Sequence, residues 1–184
     1  MKVEVFYQAT PNPDSMKFII DREVARESAT FLTAEEAGRS PLAARILGFP
    51  WAAGVMIGPN FVTVTKQNWV EWEILADPLS DLIKEHIEAG QSVLGEASSS
   101  AAADSDPNDP PVVQKIKKIL REEIQPAVAM DGGDIRFSRF EEGRVYLSLH
   151  GACSGCPSST MTLKEGIEVR LKEAIPEVTE VISV

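Results

Sequence analysis

Between Gly95 and Pro111 the chain reads GEASSSAAADSDPNDPP. This stretch contains no aromatic and no branched aliphatic residue. It has too little apolar surface to offset the entropy lost on ordering, so it reads as a flexible, acidic linker. Its 17 residues give a reach of roughly 20–25 Å for a flexible coil. The linker decides the architecture, because it divides 184 residues into residues 1–94 and 112–184, each the size of one small domain. The two flanks show no repeat of one another.

Charge follows the same division. Residues 1–95 carry 8 Lys/Arg and 13 Asp/Glu, residues 96–110 carry four acids and no base, and residues 111–184 carry 10 basic and 11 acidic groups. No basic face for a phosphate backbone emerges, so nucleic acid is not an expected partner. A hydrophobic content of 43% with 25% charged residues is ordinary for a soluble globular protein. No run approaches the ~18 apolar residues of a membrane span. The opening MKVEVFYQATPNP reads as neither a signal peptide nor an Arg-rich transit peptide, so neither is expected. The expected setting is the bacterial cytoplasm, with a processed organellar form as the alternative.

On the N-terminal side, VEVFYQ (Val3–Gln8), MKFIID (Met16–Asp21) and, more weakly, SATFLT (Ser28–Thr33) read as strands. Pro11 and Pro13 punctuate the loop between the first two. Ser40-Pro41 marks a helix start, with Ser as N-cap and Pro in the first turn, and the helix ends near Gly48. VMIGPNFVTVTK is a hairpin pattern around Gly58-Pro59-Asn60. Leu79, Leu82, Ile83 and Ile87 share one helical stripe behind Asp77-Pro78, which reads as a cap and first turn. His86 on that helix is expected at the surface. Trp51, Trp69 and Trp72 suit either the core or a binding surface.

On the C-terminal side, Val112, Val113, Ile116, Ile119 and Leu120 form a helical stripe whose last stretch Pro126 should kink or shorten. Asp131-Gly132-Gly133-Asp134 stops it. IRFSRF and RVYLSLH are strands joined at Glu141-Glu142-Gly143. Leu163, Ile167, Leu171 and Ala174 mark a second helix between Pro157 and Pro176, and VTEVISV supplies a last strand. The fold class is therefore α+β: two small domains, each an antiparallel or mixed sheet with helices on one face. The second domain runs α-β-β-α-β.

The chemistry centres on HGACSGCPSSTMTLKEGIE, His150–Glu168, which holds the only two cysteines, Cys153 and Cys156. Cys153 falls in the turn after a strand, and Cys156 precedes Pro157 at the expected helix N-cap. Unpaired N–H groups at a helix N-terminus favour a thiolate. Ser154 keeps the turn small, and Gly151 and Gly155 allow close backbone approach. Such a loop donates hydrogen bonds to anions, cluster sulfides included. Three readings compete: a buried apolar pair, a dithiol redox pair, or a metal site. The redox reading suits the helix terminus, but its usual setting is a βαβ unit, whereas helix, strand, strand precedes the motif here. A metal site needs about four protein ligands and one chain offers two, so a second copy on a two-fold axis completes the count. His150 is an adjacent candidate third ligand, though a strand-end residue facing solvent is the stronger account of it. Asp131 and Asp134 resemble a metal pair but fit a helix-to-strand turn better. Lys164 and Arg170 could steer acidic partners or balance cluster charge; solvated helix residues are the simpler account.

The string DGGD (131–134), followed by LHGACSGCPSS and TLKEGIE through Glu168, resembles the Nfu/NifU-type iron–sulfur cluster proteins. The N-terminal side is similar to the Nfu N-terminal domain through ATPNP-x3-KF (Ala9–Phe18) and VTVTK (Val62–Lys66). The resemblance covers nearly everything except the linker. It implies a [4Fe–4S] cluster shared by two chains, held by Cys153 and Cys156 of each and delivered to apo-proteins by a carrier that is not an enzyme. A cluster donor is implied as a further partner. Spacing alone does not separate this cluster from [2Fe–2S] or zinc, which rank behind it. The N-terminal part has no cysteine, which separates the chain from the longer NifU architecture and from the bacterial type with a degenerate A-type carrier domain. Its expected role is client recognition. The alternatives are a dithiol–disulfide oxidoreductase and a zinc-bridged interaction protein.

Overall fold

The computed structural model describes residues 2–95, 108–153 and 157–184. Most of the linker, residues 96–107, and the stretch 154–156 with Cys156 lie outside the described residues. The chain divides into two compact units, Met1–Ala97 and Ser98–Val184.

The N-terminal unit is a five-stranded sheet in the order β1-β2-β5-β4-β3, formed by β1 (Val5–Ala9), β2 (Ser15–Ile20), β3 (Ala29–Phe31), β4 (Ala52–Ile57) and β5 (Phe61–Lys66). Every pairing is antiparallel. Alternation sends Phe18, Ile20, Val55, Ile57, Val62 and Val64 to one face. There they form a single core with Leu42, Ala43 and Ile46 of α1 (Pro41–Leu47) and Leu75, Leu79 and Ile83 of α2 (Trp72–Glu88). The entry to α1 follows its sequence signal. The Ser40 side chain accepts from the Ala43 N–H at 3.1 Å and donates to the Val93 carbonyl at 2.6 Å.

Helix α2 departs from expectation. It starts at Trp72, and Pro78 lies inside it. The missing Pro78 N–H leaves the Ile74 carbonyl without its helical donor. Ile74 and Pro78 are both exposed, so water can satisfy that carbonyl. A second correction concerns His86, which is 2% exposed rather than superficial. Its Nε2 donates to the Ser92 carbonyl at 3.1 Å, while Nδ1 has no partner among the described residues.

The C-terminal unit orders its strands β6-β7-β8, with β6 (Gly133–Glu141) antiparallel to β7 (Arg144–Gly151) and β8 (Glu180–Ser183) parallel to β7. Glu142 (φ 49) and Gly143 (φ 82) turn the β6–β7 hairpin with two consecutive left-handed residues, which suits the twist of the flanking strands. Helix α3 (Pro111–Ile119) passes through a π-helical segment, Leu120–Ile124, into α4 (Gln125–Met130). Pro126 therefore does not shorten the helix. The helix widens by one residue just before the proline, with the Gln125 N–H bonded to the Leu120 carbonyl. Ile116, Leu120 and Val128 from this run join Ile167 and Leu171 of α5 (Pro157–Ala174) over Ile135, Val145, Leu147 and Val181 of the sheet. Ala174 is exposed, and Ile175 takes the inward place expected of it.

Candidate functional site

The candidate site lies where β7 gives way to α5. Strand β7 ends at Gly151, whose φ of 69° turns the chain in a way an L side chain resists. Ala152 and Cys153 follow in a turn and are both buried. The turn is held against the start of β6: the Ala152 N–H donates to the Gly132 carbonyl at 3.2 Å, and Gly133 pairs with Gly151 across the strands. Gly132 is also left-handed, at φ 77°. Two glycine breaks, one leaving α4 and one leaving β7, thus bring two bare backbones together at Cys153. The cysteine is 6% exposed and packs into the core of this unit.

The fit is closest at Gly133. A Cβ built there would lie 2.5 Å from the Cys153 Sγ, 3.1 Å from its Cβ and 3.1 Å from the His150 carbonyl oxygen. Helix α5 begins at Pro157, where a missing N–H costs nothing because first-turn donors have no helical partner. The motif Cys153–Cys156 therefore spans a strand-to-helix junction, with Cys156 itself among the residues left undescribed. Because β7 and β8 are parallel and α5 connects them, that junction belongs to a strand–helix–strand unit. The sequence argument against a redox dithiol, based on what precedes the motif, does not hold at this local level.

The charged candidates separate from the cysteine. Asp131 terminates α4 and is exposed. Asp134 accepts from the Ile135 N–H at 2.9 Å and pairs with Arg136 at 3.2 Å. His150 lies directly across from Asp134 in the sheet and is partly buried rather than solvent-facing. Burial, then the nearby Arg136 charge, lowers the His150 pKa, against a smaller opposing pull from Asp134. Among the described residues, no group of three or more His, Cys, Asp or Glu could hold a metal ion. Arg170 is an exposed residue of α5, as expected, and also forks onto Glu123 at 2.6 and 2.9 Å, tying α5 to the π-helical segment. That hydrogen bond holds the Glu123 carboxyl below its usual range. Lys164 is partly buried on α5. Gly133 was missed as a site residue; the Gly-Gly pair was its only sequence signal, and it served equally well as a helix stop.

The N-terminal tryptophans differ from one another. Trp72 donates from Nε1 to the Pro13 carbonyl at 3.0 Å and packs edge-on to Phe18. Trp51 stacks on Phe49. Trp69 is 64% exposed. No helix among the described residues is long and apolar enough to cross a membrane.

Comparison with known proteins places both units. Residues 116–182 match the NifU-like domain, and residues 5–90 match the family described as scaffold protein Nfu/NifU N terminal. A Homo sapiens protein named NFU1 iron-sulfur cluster scaffold homolog, mitochondrial, is 40% identical over 173 residues, covering 93% of this chain and 68% of that protein. An Arabidopsis thaliana protein named NifU-like protein 4, mitochondrial, is 40% identical over 176 residues, covering 93% of this chain and 62% of its own length. The chain thus spans about two thirds of the length of these curated relatives. Among solved structures, a NifU-like protein from Saccharomyces cerevisiae aligns with 52% of this chain and 87% of its own, at 24% identity and a TM-score of 0.46.

Proposed function

The chain belongs to the Nfu/NifU family, and on that premise we propose that it carries an iron–sulfur cluster and hands it to apo-proteins. The cargo is a [4Fe–4S] cluster bound by Cys153 and Cys156 of two copies, two thiolates from each. The observation that carries this reading is the place of Cys153. It lies in the turn after β7, four positions in sequence before α5 opens at Pro157, and Cys156 is the second cysteine in that interval. Two thiolates are half the shell that such a cluster takes, and a second copy supplies the other half. The relatives are named as iron–sulfur cluster scaffolds, which supports the same role.

Release is a ligand exchange. A client thiolate forms a bond to iron as one from Cys153 or Cys156 breaks, and the departing sulfur takes up a proton. No electron need move, and this chain supplies no covalent catalysis. The cysteine-free N-terminal unit docks the client and the linker sets the reach. The mitochondrial names of the relatives favour the organellar of the two expected settings. Anaerobic reconstitution with iron and sulfide tests the carrier role. Visible absorbance and a shift to dimer size should appear together, and Cys153→Ala or Cys156→Ala should remove both. A monomer that takes up no iron contradicts the proposal.

One observation favours a second reading. The β7–α5–β8 unit is a parallel strand–helix–strand with Cys153 in the turn after its first strand, and a C-x-x-C beside such a unit is the usual setting of dithiol oxidoreductases. Catalytic turnover of a disulfide substrate by cluster-free protein would establish that activity, and its absence leaves the carrier role.

A further inference from the structure

Cluster binding needs the Cys153 sulfur to reach iron, yet Cys153 is 6% exposed and counts among the core residues of its unit. What admits the sulfur to that position is the absence of a side chain across from it. A Cβ at residue 133 would sit 2.5 Å from Sγ, well inside the roughly 3.5–4.0 Å of a comfortable non-bonded contact. The backbone on either side has little room to yield. The Ala152 N–H is bonded to the Gly132 carbonyl, Gly133 is paired with Gly151, and the His150 carbonyl stands 3.1 Å from the same Cβ position. Rotation about the Cys153 χ1 is the soft coordinate, so a side chain at 133 drives the sulfur out rather than the strands apart.

We propose that Gly133 is a positioning residue for Cys153: its bare Cα is the berth that seats the thiol within the core of this unit. Bonding to iron then requires the sulfur to swing out of that berth, and a seated thiol is shielded from alkylation and oxidation. The meaning assigned to the shielding rests on the carrier reading. The steric relation between Gly133 and Cys153 does not.

The test uses the full-length, reduced, cluster-free protein and iodoacetamide, with modification at Cys153 followed by mass spectrometry of its peptide. Cys153 should react at least about tenfold more slowly in the native chain than in urea, as expected when reaction waits on a local opening. Gly133→Ala should abolish that protection while the circular dichroism is retained. Gly166→Ala on α5, where an added Cβ meets nothing within 4 Å, should leave it intact. Native Cys153 reacting at the urea rate overturns the proposal, as does a folded Gly133→Ala variant that stays protected. If Gly133→Ala does not fold, the Gly133→Ala/Cys153→Ala double variant decides. Recovery of a cooperative thermal transition shows that the clash is with the sulfur, and continued failure to fold overturns the idea. None of these readouts involves iron, so they stand or fall apart from cluster binding.

Discussion

The two units use buried polar groups in different ways. In the N-terminal unit they serve architecture. Ser40 caps α1 and anchors Val93, His86 ties the end of α2 to Ser92, and Lys66, 5% exposed at its side chain, reaches Asp14 at 3.3 Å. In the C-terminal unit the notable buried group is the Cys153 thiol, set against the bare Cα of Gly133 just past the end of β7. One unit therefore carries an apolar core without a cysteine, and the other seats a cysteine in its core at a turn where Gly133 leaves room for it.

The sharpest way to break that contrast is to remove a thiol. Cys153→Ala or Cys156→Ala should eliminate iron uptake and leave both units folded, as read by metal analysis beside calorimetry. Core truncations come next. Phe18→Ala should cost about 3–5 kcal/mol and Leu147→Ala about 2–5 kcal/mol, the ranges for large-to-small changes in packed interiors. The first should lower the melting transition of the N-terminal unit and spare iron binding. The second should depress both the C-terminal transition and iron binding. Loss of iron binding in Phe18→Ala would show that the two units are not independent in the way described. Ser40→Ala should cost about 0.5–2 kcal/mol, the range for a lost N-cap, confined to the N-terminal transition.

The smallest effect is a pH dependence. Folding lowers the His150 pKa below 6.5, so the folded chain resists a proton that the unfolded chain accepts. Stability of the C-terminal unit should thus be full above 6.5, fall as the pH drops through that value, and level off once the pH is below the folded pKa. His150→Gln should flatten this slope in thermal melts taken across the range, and an unchanged slope would assign it to another group.

Much of this was legible in the sequence. The β-rich runs marked every strand, although β4 begins at Ala52, ahead of the expected Val55; Glu142-Gly143 marked the hairpin, and Ser40-Pro41 marked a capped helix start. The linker composition divided the chain. What failed has particular causes. The start of α2 has no side-chain cap, since Glu71 makes none, so Asp77-Pro78 looked like the beginning although it lies in the middle. His86 was legible in principle, because Leu79, Ile83 and His86 share one face, but its polarity argued for the surface. The π-helical turn before Pro126 leaves no mark in residue type. The Gly133 berth depends on the Cys153 turn folding over the start of β6, and no local pattern in the sequence states which residue will face it. The [4Fe–4S] type is proposed on the family resemblance, because the spacing of Cys153 and Cys156 does not select it.

Iron and acid-labile sulfide per chain, counted together with native mass on anaerobically prepared protein, test the central claim most directly. The account predicts about two irons and two sulfides per polypeptide in a dimer, as four cysteine ligands per [4Fe–4S] cluster require. Zinc in place of iron, or a full cluster on a single chain with no added thiol, would contradict it.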